Sequence, residues 1–333
     1  MTQASGRSHL SAKVDALQSV PIQDAVAILR RGGLVAFPTE TVYGLGADAA
    51  NPEALARLYK VKGRPQHHPV IVHLSGIDQL DRWARDIPNT ARQLAARFWP
   101  GPLTLVLKRA PGVSDSITGG QDTVGVRLPA HPVAQALLAA FGEGVAAPSA
   151  NRFGRISPTT AEHVRADLSN DVDMILDGGA CKVGIESTIL DLSRGEPVLL
   201  RPGRILARDI EQTIGVLPRA PDAEAPRAPG MLQTHYAPRA KLKLMKRLAM
   251  LEALSAHKGQ RLAALALEVT VPRLAPSLVI VVPAVPAGYA QSLYANLRAL
   301  DATGADVILV ETPPDTPAWT GVLDRLHRAA TAG

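Results

Sequence analysis

The chain has 333 residues, of which 46% are hydrophobic, 20% charged and only 4% aromatic, and its formal net charge is +6. This length allows two domains, and the apolar content is that of an ordinary folded protein. The few aromatic rings argue against a nucleic-acid reader built on base stacking, and the absence of any run of five or six basic residues argues against an extended nucleic-acid arm.

The cysteine content and the hydropathy pattern indicate the compartment. Cys181 is the single cysteine of the chain, so no internal disulfide forms and a reducing environment is expected. Residues 1–17 lack the apolar core of a signal peptide, and no stretch reaches the roughly 18 apolar residues of a membrane span. We therefore expect a soluble, cytoplasmic protein.

The first two thirds of the chain combine helices and strands without strict alternation. Residues 21–31 have the apolar spacing of a helix, which Gly32 and Gly33 end. This irregular order predicts a twisted mixed α/β sheet rather than a regular doubly wound one. The other predicted elements are strand 34–37, helix 51–59, strand 70–74, helices 78–85 and 89–98, strands 103–108 and 123–128, helix 131–141, and strands 145–147, 174–176, 187–192 and 198–200.

A proline-rich segment separates this part from a second one. Residues 217–239 contain five prolines, too many for a helix or a central strand. Beyond it, predicted strands 241–245, 262–267, 278–282 and 307–310 alternate with predicted helices 248–257, 290–300 and 318–330, which predicts a smaller three-layer α/β domain. The predicted organisation is a catalytic domain at 18–215, a linker that acts as a lid at 216–240, and a C-terminal domain at 241–333.

Several common sites are absent from the sequence. It contains no P-loop, no dinucleotide-binding glycine fingerprint and no nucleophile elbow. The histidines and the one cysteine lack zinc-ligand spacing, so no protein metal site is predicted.

Four polar and glycine-rich segments interrupt the ends of predicted elements. Residues 38–46 form a possible ligand cradle after a buried strand, and residues 60–65 offer Lys62 and Arg64 as cations for phosphate oxygens, or simply as basic residues at a helix end. Residues 146–157 place a hydroxyl and an amide at a sheet edge, where Asn151 could equally be a turn former. Residues 184–189 and 199–203 add further polar groups at strand ends.

Together these segments resemble the YrdC-like superfamily, and the overall architecture is similar to its two-domain threonylcarbamoyl-AMP synthases. The resemblance covers roughly the first 240 residues, and it implies a YrdC-like fold for the larger domain. The motifs that carry it are FPTETVYGLG (37–46), KGRP (62–65), IVH (71–73), FWPGPLTLVL (98–107), VGVRLP (124–129), APSAN (147–151), Ser157, IESTI (185–189), LLRPG (199–203) and HYAP (235–238).

The resemblance also implies roles for individual residues. Lys62 and Arg64 are expected to be catalytic cations. The residues implied for L-threonine are Thr41, His73, Arg127, Ala147 and Ser187. Those implied for ATP are Lys62, Arg64, His68, Thr123, Ser149, Asn151, Ser157, Arg201 and Tyr236. Two positions depart from the commonest family pattern: His68 stands where asparagine is frequent, and Ala147 where threonine is frequent, so a contact there would use the backbone.

The implied reaction joins L-threonine, bicarbonate and ATP into L-threonylcarbamoyladenylate with release of pyrophosphate. This is the first step of threonylcarbamoyl modification of the adenosine next to the anticodon in tRNAs. Mg²⁺ would be carried by the nucleotide, a downstream threonylcarbamoyl-transferase complex would receive the product, and contact with tRNA would be weak or indirect.

Two alternatives remain open at this stage. One is a tRNA or double-stranded-RNA-binding module without ATP turnover, which the positive net charge allows. The other is a carbamoyl transfer that uses carbamoyl phosphate. It is less favoured, since no acylphosphatase-like or zinc-finger segment is present.

Overall fold

The computed structural model describes residues 21–256, 259–267 and 278–331. Parts of some predicted segments, namely residues 18–20, 257, 268–277, 332 and 333, lie outside the described residues. The larger part of the chain forms a nine-stranded sheet with the order β7-β1-β2-β6-β3-β5-β4-β8-β9. Its strands are β1 (Val35–Phe37), β2 (Gly44–Asp48), β3 (Ile71–His73), β4 (Leu103–Lys108), β5 (Thr123–Arg127), β6 (Val145–Ala146), β7 (Met174–Ile175), β8 (Thr188–Asp191) and β9 (Val198–Arg201).

The sheet is mixed, as the irregular element order predicts. β3 pairs with β5 in parallel and with β6 antiparallel, while β4 pairs with β8 in parallel and with β5 antiparallel. The parallel β3–β5 pair places His73 directly beside Arg127. Two residues that are far apart in sequence therefore meet at one end of neighbouring strands.

Helices cover this sheet on its apolar sides. They are α1 (21–30), α2 (Pro52–Lys62), α3 (Leu80–Trp83), α4 (Asn89–Phe98), α5 (Asp115–Thr118), α6 (Pro132–Phe141), α7 (Ala161–Leu168) and α8 (Ala207–Ile214), with short 3₁₀ turns at Ile77–Gln79 and Ser169–Asp171. α2 begins as predicted, because the Asn51 side chain accepts from two backbone N–H groups and Pro52 follows. It continues three residues beyond the predicted end at Tyr59 and stops at Gly63, which adopts the left-handed conformation.

The segment predicted as a possible ligand cradle, residues 38–46, ends in a strand that was not predicted. β2 begins at Gly44 and pairs antiparallel with β1. Its glycines make it look like a turn, but Gly46 serves close packing: a Cβ there would lie 2.9 Å from a Phe37 ring carbon and 3.0 Å from a Val145 methyl. Helices α5, α7 and α8 were also not predicted, because each is short and buries few apolar residues.

The second sheet has four strands in the order β10-β13-β11-β12, and all of its pairs are parallel. One face packs on α10 and α11, and the other face packs on α9. Alternate residues of β11 face opposite sides, so Leu265 joins the first cluster and Ala264 the second. The three-layer prediction is confirmed. The elements are β10 (Lys241–Met245), α9 (Arg247–Ser255), β11 (Leu262–Leu267), β12 (Leu278–Val282), α10 (Pro286–Ala302), β13 (Val307–Glu311), a 3₁₀ turn (Pro317–Trp319) and α11 (Thr320–Ala330).

Residues 216–240, called the linker below, are all described and contain neither a helix nor a regular strand. Isolated bridges join the linker to β9 of the first sheet, from Arg219 to Val198, and to the loop between β6 and α7, from Ala237 to Arg155. Among the described residues, no helix is long and apolar enough to cross a membrane.

Candidate functional site

A cavity of about 50 Å³ lies where the polar ends of the first sheet meet the linker. The first sheet and its loops supply most of the wall, and the linker covers the remaining side. The lining residues are Thr39, Thr41, Val42, Gly44, Arg64, Ile71, His73, Arg127, Ala147, Pro148, Ser149, Glu186, Ser187 and Arg201 from the sheet region, and Pro229, Gly230, His235 and Tyr236 from the linker.

Arg127, at the end of β5, is the central cation of one wall and is 4% exposed. Its Nη2 donates to Glu40 Oε1 at 2.6 Å, and its Nη1 donates to Thr41 Oγ1 at 3.0 Å. Its Nε donates to the Gly101 carbonyl at 3.2 Å. Each nitrogen is thereby fixed by one partner, and each Nη keeps a second N–H, so the guanidinium retains donors for a ligand.

The hydroxyls beside Arg127 form a directed chain. Thr39 Oγ1 donates to the Val42 carbonyl at 2.6 Å and lies 2.8 Å from Thr41 Oγ1. Because the proton of Thr39 is committed to Val42, Thr41 donates to Thr39 and accepts from Arg127. The turn of residues 39–42 is thus locked by its own side chains.

His73, at the end of β3, completes this wall. Burial, and then the charge of Arg127, lower the pKa of His73 to about 3, so the imidazole is neutral. Its Nδ1 is buried, and the part of the chain that the structure describes offers it no hydrogen-bond partner. A neutral ring with an unsatisfied nitrogen beside a cation can hydrogen-bond a polar ligand.

Arg201 and Ser187 lie on the opposite wall, at the ends of β9 and β8. Arg201 Nε donates to the Ser187 carbonyl at 3.0 Å, and its Nη2 donates to Ser187 Oγ at 3.0 Å. The Ser187 hydroxyl also lies 2.8 Å from Thr104 Oγ1. Arg201 is 3% exposed, and its Nη1 donates to the Pro229 carbonyl of the linker at 2.8 Å. This cation therefore joins the sheet to the linker.

Lys62 is the last residue of α2, and Arg64 follows the Gly63 cap. Arg64 Nη2 donates to the Pro69 carbonyl at 2.7 Å, and its guanidinium lies 5.4 Å from the centre of the Phe153 ring. Burial lowers the pKa of Arg64 to about 10, which leaves it charged at neutral pH. Lys62 Nζ donates to the carbonyls of Ser149 and Asn151, at 2.5 Å for Asn151. Lys62 therefore braces the loop that carries Ser149, and burial keeps its pKa well below the usual range.

Two linker side chains close the cavity. Tyr236 is 1% exposed and adopts a left-handed backbone conformation with φ of 62°. Burial raises its pKa to about 12, so it is a neutral phenol. Burial lowers the pKa of the adjacent His235 to about 3. Neither the Tyr236 hydroxyl nor His235 Nδ1 has a hydrogen-bond partner among the described residues, so two buried polar atoms at the cavity remain able to bind a ligand.

The structure brings together nine of the residues that the sequence analysis assigned to substrates. These are Thr41, Arg64, His73, Arg127, Ala147, Ser149, Ser187, Arg201 and Tyr236. Five others, Lys62, His68, Thr123, Asn151 and Ser157, do not line this cavity.

Four of those five lie in or behind the cavity wall, and one faces a neighbouring pocket. Asn151 Nδ2 donates to the carbonyls of Arg152 and Arg155, at 2.8 and 2.9 Å, and its Oδ1 is buried. His68 packs its ring on Phe153. Thr123 lines a small pocket beside the cavity, under Pro229 of the linker.

The sequence analysis assigned no role to two carboxylates at this site. Glu40 accepts from Arg127 and from the Ala130 backbone N–H at 2.9 Å. Glu186, which lines the cavity, accepts from Ser157 Oγ at 2.5 Å. Both residues lie inside the motifs quoted above. The feature of the sequence that could have identified them is an acidic residue near a strand end, among apolar and hydroxyl-bearing neighbours.

Comparisons with known proteins identify the family and similar folds. Residues 27–203 match the Sua5/YciO/YrdC family, described as telomere recombination, and residues 205–331 match the family described as threonylcarbamoyl-AMP synthase, C-terminal domain. A Pyrococcus abyssi threonylcarbamoyl-AMP synthase is 40% identical and covers 93% of this chain and 94% of its own length. A Bacillus subtilis protein of the same name is 41% identical, with coverages of 93% and 92%. The crystal structure of P. abyssi Sua5 complexed with L-threonine matches with a TM-score of 0.87 and 39% identity, over 93% of this chain and 94% of that one.

Proposed function

The chain belongs to the Sua5/YciO/YrdC family in its two-domain threonylcarbamoyl-AMP synthase form, and we infer that it makes L-threonylcarbamoyladenylate from L-threonine, bicarbonate and ATP. The observation that carries this inference is a cavity beside the linker that is lined by three buried arginines, Arg64, Arg127 and Arg201. Two of the substrates are anions and the third is an amino acid with a carboxylate. A cavity that takes all three needs several cations in a small volume.

The wall around Arg127 fits L-threonine. Glu40 and Thr41 fix the orientation of the Arg127 guanidinium. Its remaining N–H donors therefore point in fixed directions and can bind the carboxylate of threonine. The neutral His73 of this wall can hydrogen-bond the amino or hydroxyl group of the substrate, and the Ser187 hydroxyl can do so from the opposite wall. Ala147 can contribute only its backbone carbonyl, since its N–H donates to Ile71 at 3.0 Å.

The wall around Arg64 and Arg201 fits the nucleotide. Both guanidiniums are buried beside Ser149 and the linker, where they can bind phosphate oxygens by paired N–H donors. The unsatisfied hydroxyl of Tyr236 lies on the same side. Lys62 fixes the loop of Ser149 and Asn151, while His68, Thr123 and Ser157 flank this wall, so their contacts with ATP require movement of the linker or of that loop.

The linker is proposed to open for ATP and to close over the product. A cavity of about 50 Å³ is far smaller than the several hundred Å³ of a site for a nucleotide. The linker is the part that can yield, because it lacks regular structure and because, at the cavity, Arg201 binds it by one hydrogen bond to Pro229. Its other contacts with the first part of the chain, such as Arg227 with Gln121 and the bridge from Ala237 to Arg155, involve residues that do not line the cavity. Closure would then exclude water from an acyl phosphate that water hydrolyses.

The chemistry needs two bond-forming steps. The amine of threonine attacks the bicarbonate carbon, which gives a carbamate with loss of water, and a carbamate oxygen attacks the α-phosphorus of ATP as the bond to pyrophosphate breaks. Arg64 and Arg201 would neutralise charge on the phosphates and Arg127 would orient the threonine. Positioning and charge neutralisation then supply most of the rate enhancement.

Mg²⁺ is proposed to arrive with the nucleotide. Among the described residues, no group of three or more His, Cys, Asp or Glu side chains could hold a metal ion. Glu186, which lines the cavity, is already bound by Ser157, and Glu40, behind the wall, is bound by Arg127. The ion would bind phosphate oxygens and water, and when bound it would screen the triphosphate charge.

The product is proposed to serve tRNA threonylcarbamoylation. A threonylcarbamoyl adenylate is an activated acyl group, so a downstream transferase complex must accept it and pass it to adenosine next to the anticodon. A cytoplasmic location is proposed on the single cysteine, Cys181, which is buried and unable to form an internal disulfide.

The alternative of an RNA-binding module has little support in the site. The arginines that line the cavity are between 3% and 7% exposed, so they cannot reach the phosphate backbone of a folded RNA. Most of the remaining basic residues are scattered on the surface, where many pair with carboxylates, as in Arg92–Asp81 and Arg85–Asp122.

The direct test is pyrophosphate release by the purified full-length chain. With ATP, L-threonine and bicarbonate, pyrophosphate should accumulate, and omission of threonine or of bicarbonate should abolish it. L-alanine in place of threonine is the matched control and should support little release. Equal release without threonine would refute the proposed function.

A further inference from the structure

The helices of the second sheet pack directly on loops that carry cavity residues. A Cβ on Gly184 would lie 2.4 Å from the Gln291 Cα of α10, and a Cβ on Gly321 of α11 would lie 3.2 Å from the Gly203 Cα. The two backbones therefore meet without intervening side chains. Gly184 lies three residues before Ser187 and Gly203 two residues after Arg201, so this packing fixes the loops next to both cavity residues.

Arg325 of α11 extends across this contact. It is 1% exposed, and its Nε donates to Glu186 Oε2 at 2.8 Å, while its Nη2 donates to the Glu186 carbonyl at 3.2 Å. Its Nη1 donates to the Pro202 carbonyl at 2.8 Å. A buried guanidinium is stable only with such partners. Three of the five hydrogen bonds that Arg325 donates among the described residues go to Glu186 and Pro202, next to strands of the first sheet, and the other two go to Asp324 and Gly321 of its own helix.

Glu186 transmits this contact to the cavity. Its Oε2 also accepts from the Tyr294 hydroxyl of α10 at 2.9 Å, and its Oε1 accepts from Ser157 Oγ at 2.5 Å. Burial acts to raise the pKa of Glu186, but the charges of Arg325 and Arg201 and the Ser157 hydrogen bond outweigh it and lower the pKa to about 2. Glu186 is therefore a carboxylate that orients the Ser157 hydroxyl as a donor.

The same two residues of the second sheet also enclose Tyr236. The Arg325 guanidinium lies 5.4 Å from the centre of the Tyr236 ring, and the Tyr294 ring stacks on it with centroids 5.8 Å apart and an angle of 28°. Tyr236 has a positive φ, which a non-glycine residue adopts only when its surroundings hold it there. Arg325 and Tyr294 supply that hold.

We propose that Arg325 and Tyr294 are positioning residues for the nucleotide side of the cavity. They act through Glu186 on Ser157, and through ring contacts they hold Tyr236 in the closed linker. The role of the second sheet is then to complete a site that the first sheet leaves unfinished. The proposal rests on the proposed function for the identity of the nucleotide as ATP.

The test compares Arg325→Met with Arg298→Met in the full-length chain. Arg298 of α10 also binds the first part of the chain, by an ion pair to Asp167 of α7 and a hydrogen bond to the Ile156 carbonyl, but it contacts neither Glu186 nor Tyr236 and does not line the cavity. Isothermal titration should show ATP binding about tenfold weaker in Arg325→Met, as expected for loss of a hydrogen-bonded charge, with L-threonine binding changed less than twofold. Arg298→Met should change neither Kd.

Trypsin supplies a readout that needs no turnover. Arg227 and Arg239 are exposed in the linker, and cleavage after them should be several-fold faster in Arg325→Met than in the wild type or in Arg298→Met. ATP binding and trypsin cleavage test this proposal even if the protein releases no pyrophosphate. Failure of this proposal can therefore be distinguished from failure of the proposed function.

The pH dependence separates positioning from mere stability. Without Arg325, burial raises the pKa of Glu186, so ATP binding by Arg325→Met should strengthen as pH rises and Glu186 ionises, while the wild type shows no such titration. The double variant Arg325→Met/Glu186→Gln should lose this dependence. The groups that face Glu186 are Arg325 of α11, Tyr294 of α10, Arg201 of β9, Ser157, and His235 and Tyr236 of the linker.

A milder pair of variants covers the case in which Arg325→Met does not fold. Tyr294→Phe removes one hydrogen bond to Glu186 and keeps the ring, and should weaken ATP binding about threefold. Tyr289→Phe, on the same helix, is the control and should have no effect. Unchanged ATP binding in both Arg325→Met and Tyr294→Phe, an equal loss in Arg298→Met, or an equal loss of ATP and threonine binding would overturn the proposal.

Discussion

The two walls of the cavity are built in different ways. The wall around Arg127 comes from adjacent strands and turns of one sheet, and its partners Glu40 and Thr41 lie in a single turn. The wall around Arg201 also includes residues of the linker and depends on the second sheet. The ion pair that joins this wall to the second sheet links Glu186 to Arg325, which are 139 positions apart in sequence. The first wall is complete as soon as the sheet forms, whereas the second depends on how the linker and the second sheet are placed.

This difference predicts separate sensitivities. Changes at the first wall should weaken threonine use and leave the linker unaffected. Changes at the second should weaken nucleotide binding and linker closure, and leave threonine binding nearly intact.

The largest effect is expected for Arg127→Gln. It removes the cation proposed to bind the threonine carboxylate and leaves Glu40 buried without its ion-pair partner, so kcat/KM for threonine should fall by roughly 100-fold or more. Steady-state pyrophosphate release at varied threonine measures this. Arg92→Gln, which removes only the exposed pair with Asp81, should behave as the wild type. An Arg127→Gln defect confined to the KM for ATP would contradict the assignment of the walls.

A smaller effect concerns stability against pH at the first wall. The folded pKa of His73, about 3, lies below its unfolded value of about 6.5. Between these two pH values the His73 side chain is protonated in the unfolded chain but not in the folded chain. The free energy of unfolding should therefore fall as pH drops from about 6.5 towards 3. At pH 5 this histidine should account for about 2 kcal/mol of lost stability.

Denaturant unfolding of His73→Gln at pH 7 and pH 5 measures that contribution. The variant should lose about 2 kcal/mol less than the wild type between the two pH values. His67→Gln, at an exposed position, is the matched control and should keep the wild-type difference. If His73→Gln also keeps the wild-type difference in stability between the two pH values, then His73 is not buried away from water in the folded protein.

The smallest effect is expected for Tyr236→Phe, at the second wall. The buried hydroxyl of Tyr236 lacks a hydrogen-bond partner among the described residues, so its loss should leave the unliganded protein as stable or slightly more stable. If the hydroxyl binds the nucleotide, the KM for ATP should rise about tenfold with the KM for threonine unchanged. Tyr289→Phe also removes a buried, unsatisfied hydroxyl and should leave both values unchanged. A raised KM for threonine would show that the walls are not independent.

The sequence predicted the first wall better than the second. Thr41, His73 and Arg127 are polar residues at or next to strand ends, a local pattern that also places them in space once β3 and β5 pair in parallel. The mixed sheet and the three-layer second sheet followed from apolar runs of the right length. Such patterns depend only on residues that are close in sequence, so they predict strands and helices without knowledge of the tertiary contacts.

The second wall depends on contacts that no local pattern encodes. Arg325 lies in a helix whose sequence resembles that of an ordinary surface helix, and only tertiary packing reveals that it is buried against Glu186. Lys62 was predicted as a phosphate-binding cation, but the structure places its ammonium on two loop carbonyls. Three-dimensional packing determines which distant segments form ion pairs. It also determines which of several possible partners a cation binds.

Mass spectrometry of the product formed with ¹³C-bicarbonate distinguishes synthesis of L-threonylcarbamoyladenylate from simple hydrolysis of ATP. Purified protein, ATP, L-threonine and labelled bicarbonate should give an adenylate that carries threonine and one labelled carbon, with pyrophosphate in equal amount. Formation of unlabelled AMP or ADP alone, or of an adenylate of threonine that lacks the label, would contradict the account.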